Sequence, residues 1–273
     1  MPGAVQDARN IHTYLTTVLH VPYSHIRVCD DNSSTTRKSI LEALAHHLLD
    51  NGNIAKDNTV IVFFAGQGSS YDARQFWRDG VGSIEALCPS DRDPHNPESP
   101  PDISHRELFL LLEDIGKETA SSIVLILDCC YSAGMHRRDL STELTVRAAG
   151  PNRNSGVQKM LEAAIGNLHG RHSDYSSALL LDWVPRLDFV MLAACHEQEK
   201  AFGGPNGGLF TSALITKLKG IGDSLTYRGL IASIGPLPSR NEPRQTPVAS
   251  GTQIDDIVFN PPRSRRDRAL SPF

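Results

Sequence analysis

Four short apolar runs without period-two alternation constrain this chain most: Ile26 to Cys29, Thr59 to Ala65, Ser122 to Cys129, and Asp188 to Ala194. A strand with one wet face alternates apolar and polar residues. Runs that do not alternate read as strands covered on both faces, in a mainly parallel sheet. The segments between them carry helical spacing. Ile11, Leu15 and Val18 share one face of Asp7 to Leu19, and Ile40, Leu44 and Leu48 share one face of Thr36 to Leu49, behind Ser and Thr caps. His105 to Glu113 and Leu209 to Leu218 add two more helices, the first opened by Ser104 and Glu107 at capping-box spacing. This alternation predicts an α/β fold, an open doubly wound sheet with helices on both faces, whose active residues sit at the carboxyl ends of strands. A last strand is expected over Asp256 to Phe259 and a short helix near Val157 to Ile165. The stretch 135–186, rich in Ser, Asn and Arg, reads as a long insert between two core strands.

A length of 273 residues predicts one large domain, here 1–260, followed by a tail over 261–273 that holds Arg263, Arg265, Arg266 and Arg268 and reads as solvated and disordered. The net charge of −4 leaves no chain-wide basic footprint for nucleic acid or an anionic membrane, so neither is expected as a partner. No apolar run approaches the roughly 18 to 20 residues that span a bilayer. The first ten residues lack a signal peptide's apolar segment, and a cytoplasmic location is expected. The five cysteines include the adjacent pair Cys129 and Cys130, and none has the spacing of a zinc site. Reduced thiols and no metal site follow as expectations.

Two of the apolar runs end in unusual ways. Val60 to Ser70 reads V-I-V-F-F-A-G-Q-G-S-S, a strand breaking into Gly66-Gln67-Gly68, where a backbone can approach a ligand closely. It lacks the spacing of a phosphate-binding loop. Residues 123 to 134 read I-V-L-I-L-D-C-C-Y-S-A-G, a strand closing on a carboxylate, two thiols and a hydroxyl. That ending is no packing solution, because Asp128 must be desolvated. Cys129 continues the strand's alternation as an inert core thiol, whereas Cys130 falls at the carboxyl end, where a thiolate can attack a substrate.

At these residues the chain resembles the caspase-like cysteine peptidases, in particular the metacaspases and caspase-domain proteins of fungi. P-G-A-V-Q-D-A resembles the family's opening L-x-G-x-x-N-D-A; F-F-A-G-Q-G-S its F-x-S/A-G-H-G; L-C-P-S-D its I-x-P-x-D; and D-C-C-Y-S-A-G its D-C-C-H-S-G. F-V-M-L-A-A-C and G-G-L-F-T-S-A-L resemble the small-subunit region. The resemblance divides the domain into a large-subunit-like part, 1–134, the insert 135–186, and a small-subunit-like part, 187–260. It implies that Cys130 is the nucleophile and that the N–H groups of Gly68 and Cys130 face the oxyanion. It also implies that Asp7 and Asp128, with Ala65 nearby, line a pocket for Arg or Lys. Peptide or protein substrates with Arg or Lys, and active homologues, are the partners it implies.

Three departures qualify that resemblance. Gln67 stands where the family has its histidine and has no proton that titrates near neutral pH. Proteolysis is therefore expected to be weak or absent, and a non-catalytic module that binds peptides or pairs with active homologues is the alternative. Without an imidazolium partner the Cys130 thiol is expected to stay near the free value of about 8.5. The family's first core strand precedes the L-x-G segment, and the chain as given starts at Met1-Pro2-Gly3, so that strand is expected to be missing. Calcium, which some relatives use, is poorly provided for: Ser104, His105 and Arg137 replace acidic positions, and only Asp91, Asp93 and Asp139 remain as candidates. No cofactor is expected.

Overall fold

The computed structural model describes residues 3–30, 34–55, 58–76, 82–119, 121–131, 144–152, 156–168, 187–220, 224–237 and 244–259. Its centre is a sheet of four strands in the order β1 (Thr59–Ala65), β5 (Ser122–Asp128), β7 (Val190–Ala193) and β10 (Val248–Ser250). The pairs β1 with β5 and β5 with β7 are parallel, and β10 runs antiparallel to β7. Parallel strands need crossovers, and the helices that supply them cover both faces.

The central strand β5 is buried at every position, which is why its sequence does not alternate. Val124 and Ile126 face one cluster, which includes Ile11 and Tyr14 of α1 (Ala4–Thr17), Phe210 and Leu214 of α5 (Leu209–Leu218), and Leu230 of α6 (Tyr227–Ile234). Ile123, Leu125 and Leu127 face the other cluster, with Leu41 of α2 (Arg37–Glu42), Leu44 of the π-helical turn Ala43–Leu49 that continues it, and Leu112 of α3 (His105–Thr119). Full burial of each such side chain is worth about 1.5–3 kcal/mol. The same alternation sends Cys129 into the α3 side and Cys130 into the α1 side.

Thr36 caps α2, its side chain accepting from the Ser39 N–H at 3.2 Å. Ser104 likewise accepts from the Glu107 N–H at 3.2 Å, the first half of the capping box. The reciprocal half is replaced, because the buried Glu107 carboxylate takes both bonds, 2.6 and 2.7 Å, from the Arg37 guanidinium. A charged partner outbids a backbone N–H for a desolvated carboxylate.

Two short apolar segments depart from expectation. Ile26–Cys29 belongs to none of the sheets, and β1 lies at the sheet edge with most of its residues half-buried rather than buried. Asp256–Phe259 is no strand either. Ile257 makes a single bridge to Thr226, and the closing strand β10 lies earlier, at Val248–Ser250. A short, mainly apolar segment pairs only where an edge is within reach, and the edge beside β7 is taken by β10.

A second sheet, β2 (Gly68–Asp72), β3 (Ser83–Leu87) and β4 (Ile103–Ser104), packs with α4 (Val157–Leu168), a helix longer than its Val157 to Ile165 signal. A third joins β6 (Thr145–Val146), β8 (Phe202–Gly204) and β9 (Gly207–Gly208). The basic tail lies outside the described residues.

Candidate active site

The carboxyl ends of β1 and β5 lie side by side, Ala65 opposite Asp128, and both strands break there. Gly66 donates its N–H to the Asp128 carbonyl at 3.3 Å, so the Gly66-Gln67-Gly68 turn folds over the end of β5. Gly68 tolerates no side chain, since a Cβ there would lie 2.6 Å from the Cys130 carbonyl oxygen. That closeness sets the N–H groups of Gly68 and Cys130 converging on one point.

The point is occupied. The carbonyl oxygen of Arg147 accepts from Gly68 N at 3.2 Å and from Cys130 N at 3.1 Å. Arg147 itself donates its N–H to the Ala201 carbonyl at 2.9 Å, and the residues before it, β6, run antiparallel to β8 with Val146 opposite Phe202. Beyond it Ala148 bridges to Gly68, and the Ala149 N–H returns to the Gly68 carbonyl at 2.8 Å.

The Arg147 side chain, the largest of the fully buried ones among the described residues, enters a slot between the two carboxylates singled out from the sequence. Its Nη2 donates to Asp7 Oδ2, and its Nη1 lies 3.1 Å from Asp128 Oδ2 and 3.2 Å from the Asp128 carbonyl. Asp7 also accepts from Gly208 N at 2.8 Å, and Asp128 from Thr211 N at 3.1 Å and Thr211 Oγ1 at 2.5 Å. The β8–β9 hairpin makes room for a flat guanidinium by being glycine: a Cβ on Gly203 or Gly208 would fall within 2.8 Å of Arg147 atoms. Gly207 carries a φ of 114° beside Asp7, open to glycine at little cost. Burial raises the Asp128 carboxyl above its ordinary range, and the Arg147 charge and Thr211 bonds oppose that.

Cys130 is buried rather than open at the strand end, packed in the cluster that includes Ile11, Cys195 and Ala201. Its Sγ lies 4.0 Å from the Ala201 carbonyl oxygen. The neighbouring Cys195 thiol, then the Ala201 carbonyl and the Lys200 charge, draw the Cys130 thiol below its ordinary value despite burial, so the expectation of an unshifted thiol is corrected. Cys195 moves the opposite way, and burial, with the Cys130 and Asp128 charges beside it, drives Cys129 up, in keeping with an inert core thiol. Gln67 sits half-buried in the turn, its carbonyl accepting from Cys88 N at 3.0 Å. His196 is exposed on a turn after β7; His136 and Asp139 lie outside the described residues.

The sequence reading brought Asp7, Asp128, Cys130, Gln67, Gly68 and Ala65 toward one site, and the structure draws these positions to one end of the sheet. It missed Arg147, the hairpin glycines, Thr211 and Cys195. An arginine inside T-V-R-A-A, a run otherwise small or apolar, was the available signal. Among the described residues no cluster of three or more His, Cys, Asp or Glu could hold a metal ion; Asp91 instead accepts from Arg37 N at 2.9 Å. Nor is any described helix long and apolar enough to cross a membrane.

One acidic group near this end is expected to govern stability against pH. Burial, and then the Glu197 charge, pushes the Glu85 carboxyl up from 4.5 to about 7. A raised folded-state pKa contributes stability that is fully present below about 4.5 and is lost as pH rises through about 7. Glu85→Gln is therefore expected to flatten that decline and to raise stability at pH 8 by about 2–3 kcal/mol, read from urea midpoints across pH.

A caspase-domain family model matches residues 1–252. Among solved structures, protein GSU0716 from Geobacter sulfurreducens superposes with a TM-score of 0.61 at 15% identity, over 96% of this chain and 91% of that one. That likeness concerns the fold. No curated protein matches the chain.

Proposed function

The chain belongs to the caspase-domain family of cysteine peptidases, and from that premise we propose that its cleft is an arginine-reading peptide site of metacaspase type, with cleavage held weak or absent by Gln67. One observation carries the reading: an arginine lies in the cleft with its guanidinium between Asp7 and Asp128 and its carbonyl oxygen on the N–H groups of Gly68 and Cys130. A peptide in that register offers its carbonyl carbon to the Cys130 thiolate, while the two N–H groups stabilise the negative oxygen of the tetrahedral intermediate. The carboxylate pair favours Arg or Lys and repels acidic residues at the same position.

The missing element is proton transfer. The Cys195 neighbour favours the thiolate, but the leaving amine still needs a proton, and Gln67 has none to give. Loss of such a group costs about 10² to 10⁴ in rate. The alternative of a non-catalytic module, binding peptides or active homologues in the cytoplasm, draws its support from Gln67 alone. An Arg-containing fluorogenic peptide separates the two. Slow turnover abolished by Cys130→Ala marks a weak peptidase; no turnover in wild type together with robust turnover in Gln67→His marks a disabled one. Inertness of both toward the peptide, with the Gln67→His chain also left uncut after Arg147, removes the peptidase reading.

A further inference from the structure

We infer that Cys130 and Cys195 form a redox-active dithiol, in which an oxidant takes the Cys130 sulfur first and Cys195 closes it into a disulfide, switching the nucleophile off and shielding it from irreversible oxidation. The inference goes beyond the peptide-site reading and stands whether or not the chain cleaves peptides.

All five thiols are free, and the fold decides which of them can pair. Cys130 follows β5 and Cys195 follows β7, and these strands are parallel neighbours with Leu127 opposite Ala193. The Ala194 N–H donates to the Leu127 carbonyl at 2.9 Å, so the chains are still paired at the residue before Cys195. Neighbouring strands run about 4.8 Å apart, inside the roughly 4.4–6.8 Å that separates the Cα atoms of a disulfide. Cys130 and Cys195 belong to one cluster, on the α1 side of the sheet. Cys129 belongs to the α3 side, and adjacent cysteines bond to each other only through a strained ring.

The loop from Cys195 to Ala201 is fixed at several points. Cys195 Sγ donates to the Glu199 carbonyl at 3.6 Å, and the Ala201 carbonyl oxygen lies 4.0 Å from Cys130 Sγ. The Glu199 carboxylate accepts from Thr246 N at 2.6 Å and from Thr246 Oγ1 at 3.0 Å. Buried Gln245 ties the two ends of the loop, its Nε2 donating to the Ala194 carbonyl at 3.3 Å and its Oε1 accepting from Phe202 N at 3.1 Å. The reduced thiols are thus held as neighbours before any oxidant arrives.

Their surroundings divide the roles. Cys130 is drawn down by the neighbouring Cys195 thiol, whereas Cys195, beside Cys130 and buried, is pushed up. Cys130 supplies the attacking thiolate, and Cys195 keeps its proton until the second step. With hydrogen peroxide as oxidant, the Cys130 sulfur bonds to one oxygen as the O–O bond breaks. The hydroxide that leaves takes up the proton Cys130 had released, and a sulfenic acid remains. The Cys195 sulfur then bonds to the Cys130 sulfur as the S–O bond breaks, and the departing hydroxide takes the Cys195 proton as water. Two thiols are oxidised to one disulfide while one peroxide is reduced to two waters. A dithiol such as dithiothreitol reverses the bond by exchange.

The test treats the reduced, folded full chain with hydrogen peroxide at a level that oxidises free cysteine in the same tube, then alkylates the remaining thiols in denaturant and maps peptides by mass spectrometry. Wild type is expected to yield a peptide pair joined through Cys130 and Cys195, lost on dithiothreitol treatment and kept in Cys129→Ser. Cys195→Ser should give no such pair and raise sulfinic and sulfonic acid at Cys130 by about ten-fold or more. Should Cys195→Ser fail to fold, the wild-type and Cys129→Ser maps decide. A wild-type chain that stays fully reduced, a pair joining other cysteines, or equal over-oxidation of Cys130 with and without Cys195 each overturns the dithiol. If Gln67→His cleaves Arg peptides, peroxide should stop it and dithiothreitol restore it, the restoration failing when Cys195→Ser is added; restoration in that double variant also overturns the dithiol. An inert Gln67→His chain that still forms the linked pair would remove the peptidase reading and leave the dithiol standing.

Discussion

Gln67→His is expected to raise cleavage after arginine by about 10² to 10⁴, and the first bond cut should be the chain's own Arg147–Ala148. An imidazole at position 67 supplies what glutamine lacks, a group that takes the Cys130 proton and returns it to the amine of Ala148. The Cys130 sulfur then bonds to the Arg147 carbonyl carbon as the bond to Ala148 nitrogen breaks, and water releases the acyl group. The product pair is residues 1–147 and 148–273, read by intact-mass spectrometry. The gain should vanish in Gln67→His with Cys130→Ala. If the folded single variant stays whole and leaves Arg peptides intact, Gln67 is not the lesion.

Arg147→Ala is expected to cost about 3–5 kcal/mol, a drop in Tm of roughly 10 °C. Removing the guanidinium leaves Asp7 and Asp128, both fully buried, facing each other without a cation. Arg147→Lys should recover part of the loss only, because one ammonium cannot bond to both carboxylates in the planar geometry that Gly203 and Gly208 accommodate. Adding Asp7→Asn and Asp128→Asn to Arg147→Ala should restore more than the lysine does, since neutral amides remove the repulsion. Thermal melts of the series decide it. A loss below 1 kcal/mol in Arg147→Ala would mean that water or another cation fills the slot.

The two effects meet in one place because the ion pair is both a structural element and the pocket's occupant. Burial raises Asp128, and a charged Asp128 is tolerated through Arg147 and Thr211. A peptide arginine that replaced Arg147 would take over that stabilising role, which is why peptide binding and folding are expected to rise together in the variant.

Much of this architecture was legible along the chain. Ser122 to Asp128 is buried at every position, and its seven residues without a polar alternate announced a strand covered on both faces. Leu209 to Leu218 forms a helix over the span its periodicity marked. The breaks at Gly66-Gln67-Gly68 and at Asp128 were local, since each depends on residues adjacent in sequence, and so was Gln67 at the position where the resemblance puts a histidine. What tertiary structure alone decided was pairing across distance. Ile26 to Cys29 has strand composition and no strand beside it, while Val248 to Ser250, with weaker composition, had the open side of β7. Glu107 left its capping box because Arg37, seventy positions earlier, reached it first. The family resemblance made Asp7 and Asp128 a pocket for a substrate's Arg or Lys, and no residue of the chain was named as its occupant. The fold brings Arg147 between them, one hundred and forty residues from Asp7, since desolvated carboxylates on adjoining elements are stable only with a cation, and the chain carries its own.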